Sequence, residues 1–384
     1  MTFIRETGDV LPLLIGGFVA AAAISLVLTP LVRAVVRHRG IVDAPNHRRV
    51  NLSPVPRGGG VAVVAAFLVV AGGLVVLGDG IGPMPSPRSI TGGELLALFL
   101  GGAIAAVIGA VDDLFDLRVR WQLLGQVGLA VLAVVLGVGV EAISNPFGPG
   151  TIAFGAPFAA AFTIVWVVGM INSINFIDGL DGLSTGIGLI AALTLGILSL
   201  TTGVAQPFVA VLCVVLAGAL LGFLRFNFRP ASIFQGTAGV MFMGYALAIL
   251  SIIGAAKVVV AVLVLGVPII DTFWVIVRRL VGGRSPFTAD RGHIHHRLLD
   301  LGLGHRGTVL LIYAICAALG LLSLLVSTAT QVYAFLGVLV GFGVLLFLLT
   351  RGPSEALEPD SYEAESGEPA DATGAVDAPE PPGR

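Results

Sequence analysis

Acids, amides, arginines and histidines cluster at five places in this chain of 384 residues. The three larger clusters suit, in turn, a hard cation or diphosphate, hydrogen-bond recognition of a polar ligand, and phosphate binding. The first is Asp112-Asp113-Leu114-Phe115-Asp116. On a helix Asp112 and Asp116 share a face, with Asp113 about 100° round. Carboxylates this close repel one another, so they raise their pKa values or meet a cation. Acids at a helix C-terminus also oppose the macrodipole, which makes a simple polar stop at the membrane edge a poor reading. Magnesium, a metal-bound diphosphate or a proton-accepting role fits better, since hard cations take carboxylate oxygens and keep phosphates and waters as co-ligands. The second cluster is Asn172, Asn175, Asp178 and Asp181, every third residue. On one straight helix its first and last members would face opposite ways, so a convergent site needs a break near Gly179. The third runs from Arg278 to Arg297 and carries five arginines (Arg278, Arg279, Arg284, Arg291, Arg297) with His293, His295 and His296. It has no cysteine partner and no zinc spacing. Guanidinium groups interleaved with imidazoles make a phosphate clamp, although some of these arginines would simply anchor the membrane surface. Two smaller stretches lie on the same side of the membrane: Asp43 to Gly60, a proline-stiffened basic loop whose glycine triplet permits close backbone approach, and Asn227 to Gly239, which by itself says little.

The elements that must carry these clusters are membrane helices. Charged residues are 11% of the chain and hydrophobic ones 56%, against about 25% charged in soluble domains. A water-soluble enzyme is excluded. The 52 glycines suit helices packed closely in lipid. A span takes about 20 apolar residues, and about eleven runs qualify: 11–33, 59–78, 94–111, 122–141, 157–173, 183–202, 206–224, 238–256, 258–277, 307–328 and 331–350. The expected fold is an all-α, polytopic integral membrane protein with cytoplasmic active-site loops. Its transmembrane domain would cover residues 1–351, and residues 352–384 form an acidic tail expected to be disordered. The first run is too long, and has the wrong flank, for a cleaved signal peptide. Cys213 and Cys316 sit in apolar runs and read as buried small hydrophobes.

On these spans only Arg5, Arg88 and Lys257 fall on the N-terminal side, and the rest of the 21 Lys and Arg fall on the other. The positive-inside rule makes that other side cytoplasmic. All six histidines and the acids Asp112, Asp113, Asp116, Asp178, Asp181 and Asp271 lie there too. A secondary transporter would set its ionisable groups near the bilayer midplane, which this pattern disfavours. A cytoplasm-facing site for one polar phosphorylated molecule and one lipid-borne partner suits it better. Such a reaction rests on positioning and charge neutralisation.

The motifs PVPRGGG (54–60), VDDLFD (111–116), NSINFIDGLDGL (172–183), RPASIFQGTAG (229–239) and DRGHIHHRLL (290–299) together resemble the polyprenyl-phosphate N-acetylhexosamine-1-phosphate transferases. That superfamily includes bacterial phospho-MurNAc-pentapeptide translocase and undecaprenyl-phosphate GlcNAc-1-phosphate transferase. The resemblance covers roughly residues 10–350 and implies ten or eleven helices and an Mg²⁺-dependent reaction, with Mn²⁺ as a substitute. It implies transfer of N-acetylhexosamine 1-phosphate from a UDP-sugar to polyprenyl phosphate, releasing UMP, as the first membrane step of cell-envelope glycan synthesis. Carried over by motif, Asp112, Asp113 and Asp178 would be catalytic, with Asp112, Asp113 and Asn175 toward the metal. Asp181 and Asn227 would bind uridine and Phe234 would stack on uracil. Arg291, His293, His295, His296 and Arg297 would hold sugar and diphosphate. The GHIHHRLL wording is similar to the GlcNAc-1-phosphate branch. Partners would be the two substrates and membrane lipid, with no nucleic acid, and a homodimer is compatible. Thr237 stands where the family carries a metal-binding Asp. An impaired member that binds lipid phosphate or UDP-sugar without turnover is therefore the alternative expectation.

Overall fold

The computed structural model describes residues 7–43, 54–81, 90–145, 150–253, 258–283 and 293–326, with scattered positions between 330 and 344. The described part of the chain is helical almost throughout: α1 (Thr7–His38), α2 (Gly60–Ile81), α3 (Gly92–Leu96), a π-helical turn (Ala97–Gly101), α4 (Gly102–Phe115), α5 (Val119–Val135), α6 (Ala156–Ile177), α7 (Leu183–Ser199), α8 (Pro207–Asn227), α9 (Gly236–Ile252), α10 (Val258–Val264), α11 (Gly266–Val281), α12 (Ile294–Asp300) and α13 (His305–Leu325). Two small antiparallel pairs interrupt it: β1 (Val42–Asp43) with β2 (Val55–Pro56), and β3 (Ala142–Ser144) with β4 (Thr151–Ala153).

Local chemistry sets where these helices begin. Thr91 and Glu94 close a capping box ahead of α3, each side chain taking the other's backbone N–H. Proline in the first turn starts α6 and α8, where the missing N–H is no loss. Among the described residues six helices are long and apolar enough to cross a membrane, and a seventh span forms if α10 and α11, bent by 79°, count as one. Three shorter apolar helices, α5, α7 and α9, complete the bundle. The apolar runs of the sequence thus become an all-α polytopic membrane protein. The ninth run is a broken one, however, and half of the eleventh lies outside the described residues, as does the tail.

The core sits on α8 and α9, whose residues are buried nearly all round. A helix apolar on every face belongs in such a position. α1 lies along α8, while α9 packs between α4 and α6. Glycine permits this closeness: a Cβ on Gly218 or Gly222 of α8 would run into the backbone of Phe18 or Ala22 of α1. In lipid, where apolar burial gives no preference for helix over solvent, such close backbone packing holds helices together.

Candidate functional site

The C-terminal ends of α4, α6 and α8 and the N-terminal ends of α2, α7 and α9 meet at one end of the bundle, and described members of the polar clusters, among them Asp113, Asn175, Asp178, Asn227 and His296, lie there. Glycines make the meeting possible. A Cβ on Gly60, which opens α2, would strike the backbone of Gly239 in α9, and one on Gly109 of α4 would strike Thr237 and Ala238. The loop before α2 is stitched to the loop before α9 by three backbone bonds: Phe234 N–H to Pro56 O at 2.8 Å, Gly59 N–H to Phe234 O at 2.9 Å and Gly60 N–H to Gln235 O at 2.7 Å.

The aspartates of α4 are bound into this junction. Asp113 accepts the Thr237 N–H on Oδ1 at 2.9 Å and the Ala238 N–H on Oδ2 at 3.1 Å, capping α9 from another helix at the positive end of its dipole. Asp112 accepts the Leu117 N–H (2.9 Å) and Gln122 Nε2 (2.6 Å) on Oδ1, and the Thr237 hydroxyl on Oδ2 at 2.7 Å. The end of α4, which its own acids would destabilise, is answered by Arg57. The guanidinium of Arg57 donates to the Asp113 carbonyl through Nε (3.1 Å) and Nη2 (2.7 Å), and to Asp116 Oδ1 at 2.7 Å. Asp116 itself turns left-handed (φ 46°) to end the helix, a conformation Asp tolerates better than most residues.

The polar run at 172–185 breaks as its spacing requires. α6 stops at Ile177 and α7 starts at Leu183, with Gly182 at φ 80°. Asn172 stays on α6 and donates to Gln126 Oε1 at 2.6 Å. Asp178 is engaged by the Ser184 hydroxyl. Asp181 accepts the Ala231 N–H at 3.0 Å and has Arg229 at 3.7 Å. Arg229 in turn donates to His305 Nδ1 at 2.9 Å, and Arg306 donates to the Arg229 carbonyl at 3.0 Å. Tyr313, also on α13, donates to the Gly182 carbonyl. Asn227 ends α8 and is buried, bonded to Thr185 (2.8 Å) and to the Ile233 carbonyl (3.1 Å).

These residues enclose a polar cavity of about 310 Å³ whose wall includes Arg57, Asp113, Asn175, Asp178, Asp181 and Asn227, together with Phe234, Thr237 and His296. Burial pushes the Asp178 carboxyl up to about 7. The Ser184 hydroxyl opposes that rise, and the nearby charges of Asp113 and Asp181 add to it. Beside the cavity, Asp271 of α11 is 1% exposed; its carboxylate takes His293 Nδ1 at 2.8 Å and the Ile294 N–H at 2.8 Å. That pair fixes the start of α12. His293 stacks on His295 at 5.6 Å and lies 5.9 Å from the Phe176 ring, and His295 and His296 are 4.4 Å apart. His295 is held well below the usual imidazole range, first by burial and then by its histidine neighbours, so it is neutral. A second, apolar cavity of about 630 Å³ runs between α5, α6 and α11, lined among others by Leu123, Val127, Trp166, Phe176 and Phe273. Phe176 belongs to this apolar wall, and its chain neighbour Asn175 to the polar one.

Residues 95–255 match the glycosyl transferase family 4 profile. The chain is 34% identical to a probable undecaprenyl-phosphate N-acetylglucosaminyl 1-phosphate transferase of Bacillus subtilis, over 86% of this chain and 89% of the relative. It is 34% identical to a decaprenyl-phosphate N-acetylglucosaminephosphotransferase of Mycolicibacterium smegmatis, over 93% and 94%. With an undecaprenyl-phosphate alpha-N-acetylglucosaminyl 1-phosphate transferase of Yersinia pestis it shares 29% over 81% and 83%. The chain belongs to glycosyl transferase family 4. It is a membrane-embedded transferase, as the five motifs implied.

The sequence motifs implied a divalent cation, and the donors of the cavity wall bear on that expectation. Asp113, Asn175, Asp178 and Thr237 supply oxygen donors only, the chemistry of a hard cation rather than of zinc. Asp178 is a half-buried carboxylate whose charged neighbours, Asp113 and Asp181, carry its own sign, so a cation would relieve it. Among the described residues no group of three or more His, Cys, Asp or Glu could hold a metal. A cation seated here would have to take most of its shell from water and phosphate oxygens, as Mg²⁺ accepts.

Of the residues singled out in the sequence, Asp113, Asn175, Asp178, Asp181, Asn227, Phe234, Thr237 and His296 share the cavity wall. Asp112 faces Gln122 and Thr237 behind that wall. His293 and His295 stand beside it, and Arg297 follows in α12. Arg291 lies outside the described residues. Sequence reasoning passed over Arg57, Ser184, Thr185, Gln235, Arg229, His305 and Tyr313. The signal for Arg57 and Gln235 was their place inside quoted motifs. Ser184, Thr185 and Tyr313 carry no such signal, because a hydroxyl in an apolar helix reads as a satisfied backbone bond.

Proposed function

We propose that the chain transfers N-acetylglucosamine 1-phosphate from UDP-N-acetylglucosamine to a polyprenyl phosphate at the cytoplasmic face of the membrane. A phosphate oxygen of the lipid attacks the β-phosphorus. The bond from that phosphorus to the bridging oxygen breaks, its electron pair leaves with UMP, and polyprenyl-diphospho-N-acetylglucosamine remains. The observation that carries this reading is the join at residues 175–176, where a polar cavity lined with carboxylates and amides abuts an apolar one. A lipid phosphate has its charged head and its tail divided in the same way.

Asn227 and Asp181 offer acceptors and an amide to the nucleoside, and Phe234 an aromatic face. Arg57 and His296 supply positive or donor character to the diphosphate, while His293, fixed by Asp271, holds His295 and His296 in place. Asp178 and Asn175 face the reacting phosphates, and with Thr237 and Asp113 they would hold Mg²⁺. Mg²⁺, when bound, neutralises charge that develops on the transferring phosphates. Because phosphoryl transfer needs little covalent help, positioning by this wall supplies most of the catalysis. The test is release of UMP by the purified protein given UDP-N-acetylglucosamine, undecaprenyl phosphate and Mg²⁺. Turnover that ceases on chelation and returns with Mg²⁺ is expected, and UMP release without lipid acceptor would refute the reading.

A further inference from the structure

We propose that Gln235 is a positioning residue for the transfer, setting Asp178 and Asn227 in the cavity wall through one shared carboxamide. The inference rests on the reaction proposed above. Gln235 is 0% exposed. Its Oε1 lies 3.1 Å from the Ser184 hydroxyl and 2.9 Å from the Thr185 hydroxyl, and its Nε2 lies 3.9 Å from the Met243 sulfur. The same two hydroxyls reach the cavity: Ser184 engages Asp178, and Thr185 lies 2.8 Å from Asn227 Oδ1. Asn227 cannot turn its amide round without losing the bond from Nδ2 to the Ile233 carbonyl at 3.1 Å. The slot is built for this side chain. A Cβ on Gly239 would come within 2.5 Å of Gln235 Cγ, and one on Gly188 would strike the Met243 sulfur.

A hydroxyl has one proton to give. Two hydroxyls here serve three acceptors, Asp178 Oδ1, Gln235 Oε1 and Asn227 Oδ1. Gln235 Oε1 therefore competes with Asn227 for the Thr185 proton, 2.9 Å against 2.8 Å, and anchors Ser184 from behind at 3.1 Å while that hydroxyl engages Asp178. With Gln235 in place, both hydroxyls are held to one carboxamide, which sets where Ser184 meets Asp178 and where Thr185 meets Asn227. Without it, both hydroxyls lose their common anchor, and the two wall residues they meet lose their set positions. In a buried network every such change is felt, because a polar group left without its partner there costs its full desolvation.

The test uses the full-length protein with UDP-N-acetylglucosamine and undecaprenyl phosphate, reading UMP release. Gln235→Met keeps length and the contact with Met243 but has no carbonyl acceptor. It is expected to lower kcat about tenfold, the scale of one buried hydrogen bond. KM for undecaprenyl phosphate should stay within about twofold, and the thermal midpoint should be little changed. Combined with Ser184→Ala it should be no slower than the slower single variant, the mark of residues acting through one another. Wild-type kcat and KM in Gln235→Met, or multiplying effects in the double variant, would overturn the inference. Should Gln235→Met fail to fold, Thr185→Val carries the test: KM for UDP-N-acetylglucosamine is expected to rise about fivefold, roughly one lost hydrogen bond to Asn227, and an unchanged KM overturns the inference. A wild-type protein that releases no UMP overturns the transfer reading and this inference with it. Wild-type turnover with an unaltered Gln235→Met overturns the inference alone.

Discussion

Asp178 carries opposing demands. Transfer calls for a carboxylate facing phosphate, yet burial raises its pKa from 3.8 to about 7. Between those values the folded protein holds a proton that the unfolded chain has released, so stability falls as pH rises through that window. Asp178→Asn removes the titration. In the absence of divalent cations its thermal midpoint should exceed that of the wild type at pH 8, by at most a few kcal/mol in free energy, with the two converging toward pH 4. UMP release by the same variant should drop at least about a hundredfold, as for other preorganised electrostatic groups. An Asp178→Asn protein less stable than wild type at pH 8 would show that burial is not what sets this group. His295 works in the other direction: held neutral by burial, it costs stability as pH falls below its ordinary range. Residue types at this scale were legible in the sequence, because carboxylates and amides are scarce in so apolar a chain. Their partners were not. Arg57 reaching Asp113 crosses 56 positions of sequence and Thr237 reaching Asp112 crosses 125, and no local pattern encodes either.

At the scale of elements, glycine decides which helices meet. Gly60 and Gly72 both lie in α2, but a Cβ at Gly60 would overlap Gly239 whereas one at Gly72 meets nothing within 4 Å. Gly60→Ala should therefore abolish monodisperse, folded protein or cost several kcal/mol, while Gly72→Ala should be neutral or slightly stabilising, since alanine is the better helix former by about 1 kcal/mol. Size-exclusion profiles and thermal unfolding check both. The glycine triplet announced a close approach in the sequence; the identity of the approaching helix came only from the fold. The break after Ile177 was also legible, since polar residues every three positions cannot converge on a straight helix. That α13 braces the break was not. Tyr313→Phe, which removes the bond to the Gly182 carbonyl, should lower stability by about 1 kcal/mol and raise KM for the UDP-sugar more than it lowers kcat. Equal loss in both would point to a general loosening instead.

For the whole molecule, apolar run length was enough to announce an all-α membrane protein, and the placement of basic residues gave an orientation. The 79° bend between α10 and α11 escaped, because hydropathy averages over a window and does not register direction. So did the way Asp271, a lone acid in an apolar helix, fixes the start of α12. The orientation can be tested directly, since Cys213 and Cys316 are both buried and should give little background with a membrane-impermeant maleimide. Arg39→Cys, after α1, should be labelled only from the cytoplasmic side, and Gly203→Cys, between α7 and α8, only from the outside; the reverse would invert the topology. The central claim is that phosphate travels with the sugar. It is tested most directly by giving the purified protein UDP-N-acetylglucosamine radiolabelled in the β-phosphate, with undecaprenyl phosphate and Mg²⁺. The expected result is label in the lipid fraction with stoichiometric unlabelled UMP. Label retained in released UDP, with unlabelled sugar on the lipid, would contradict the account.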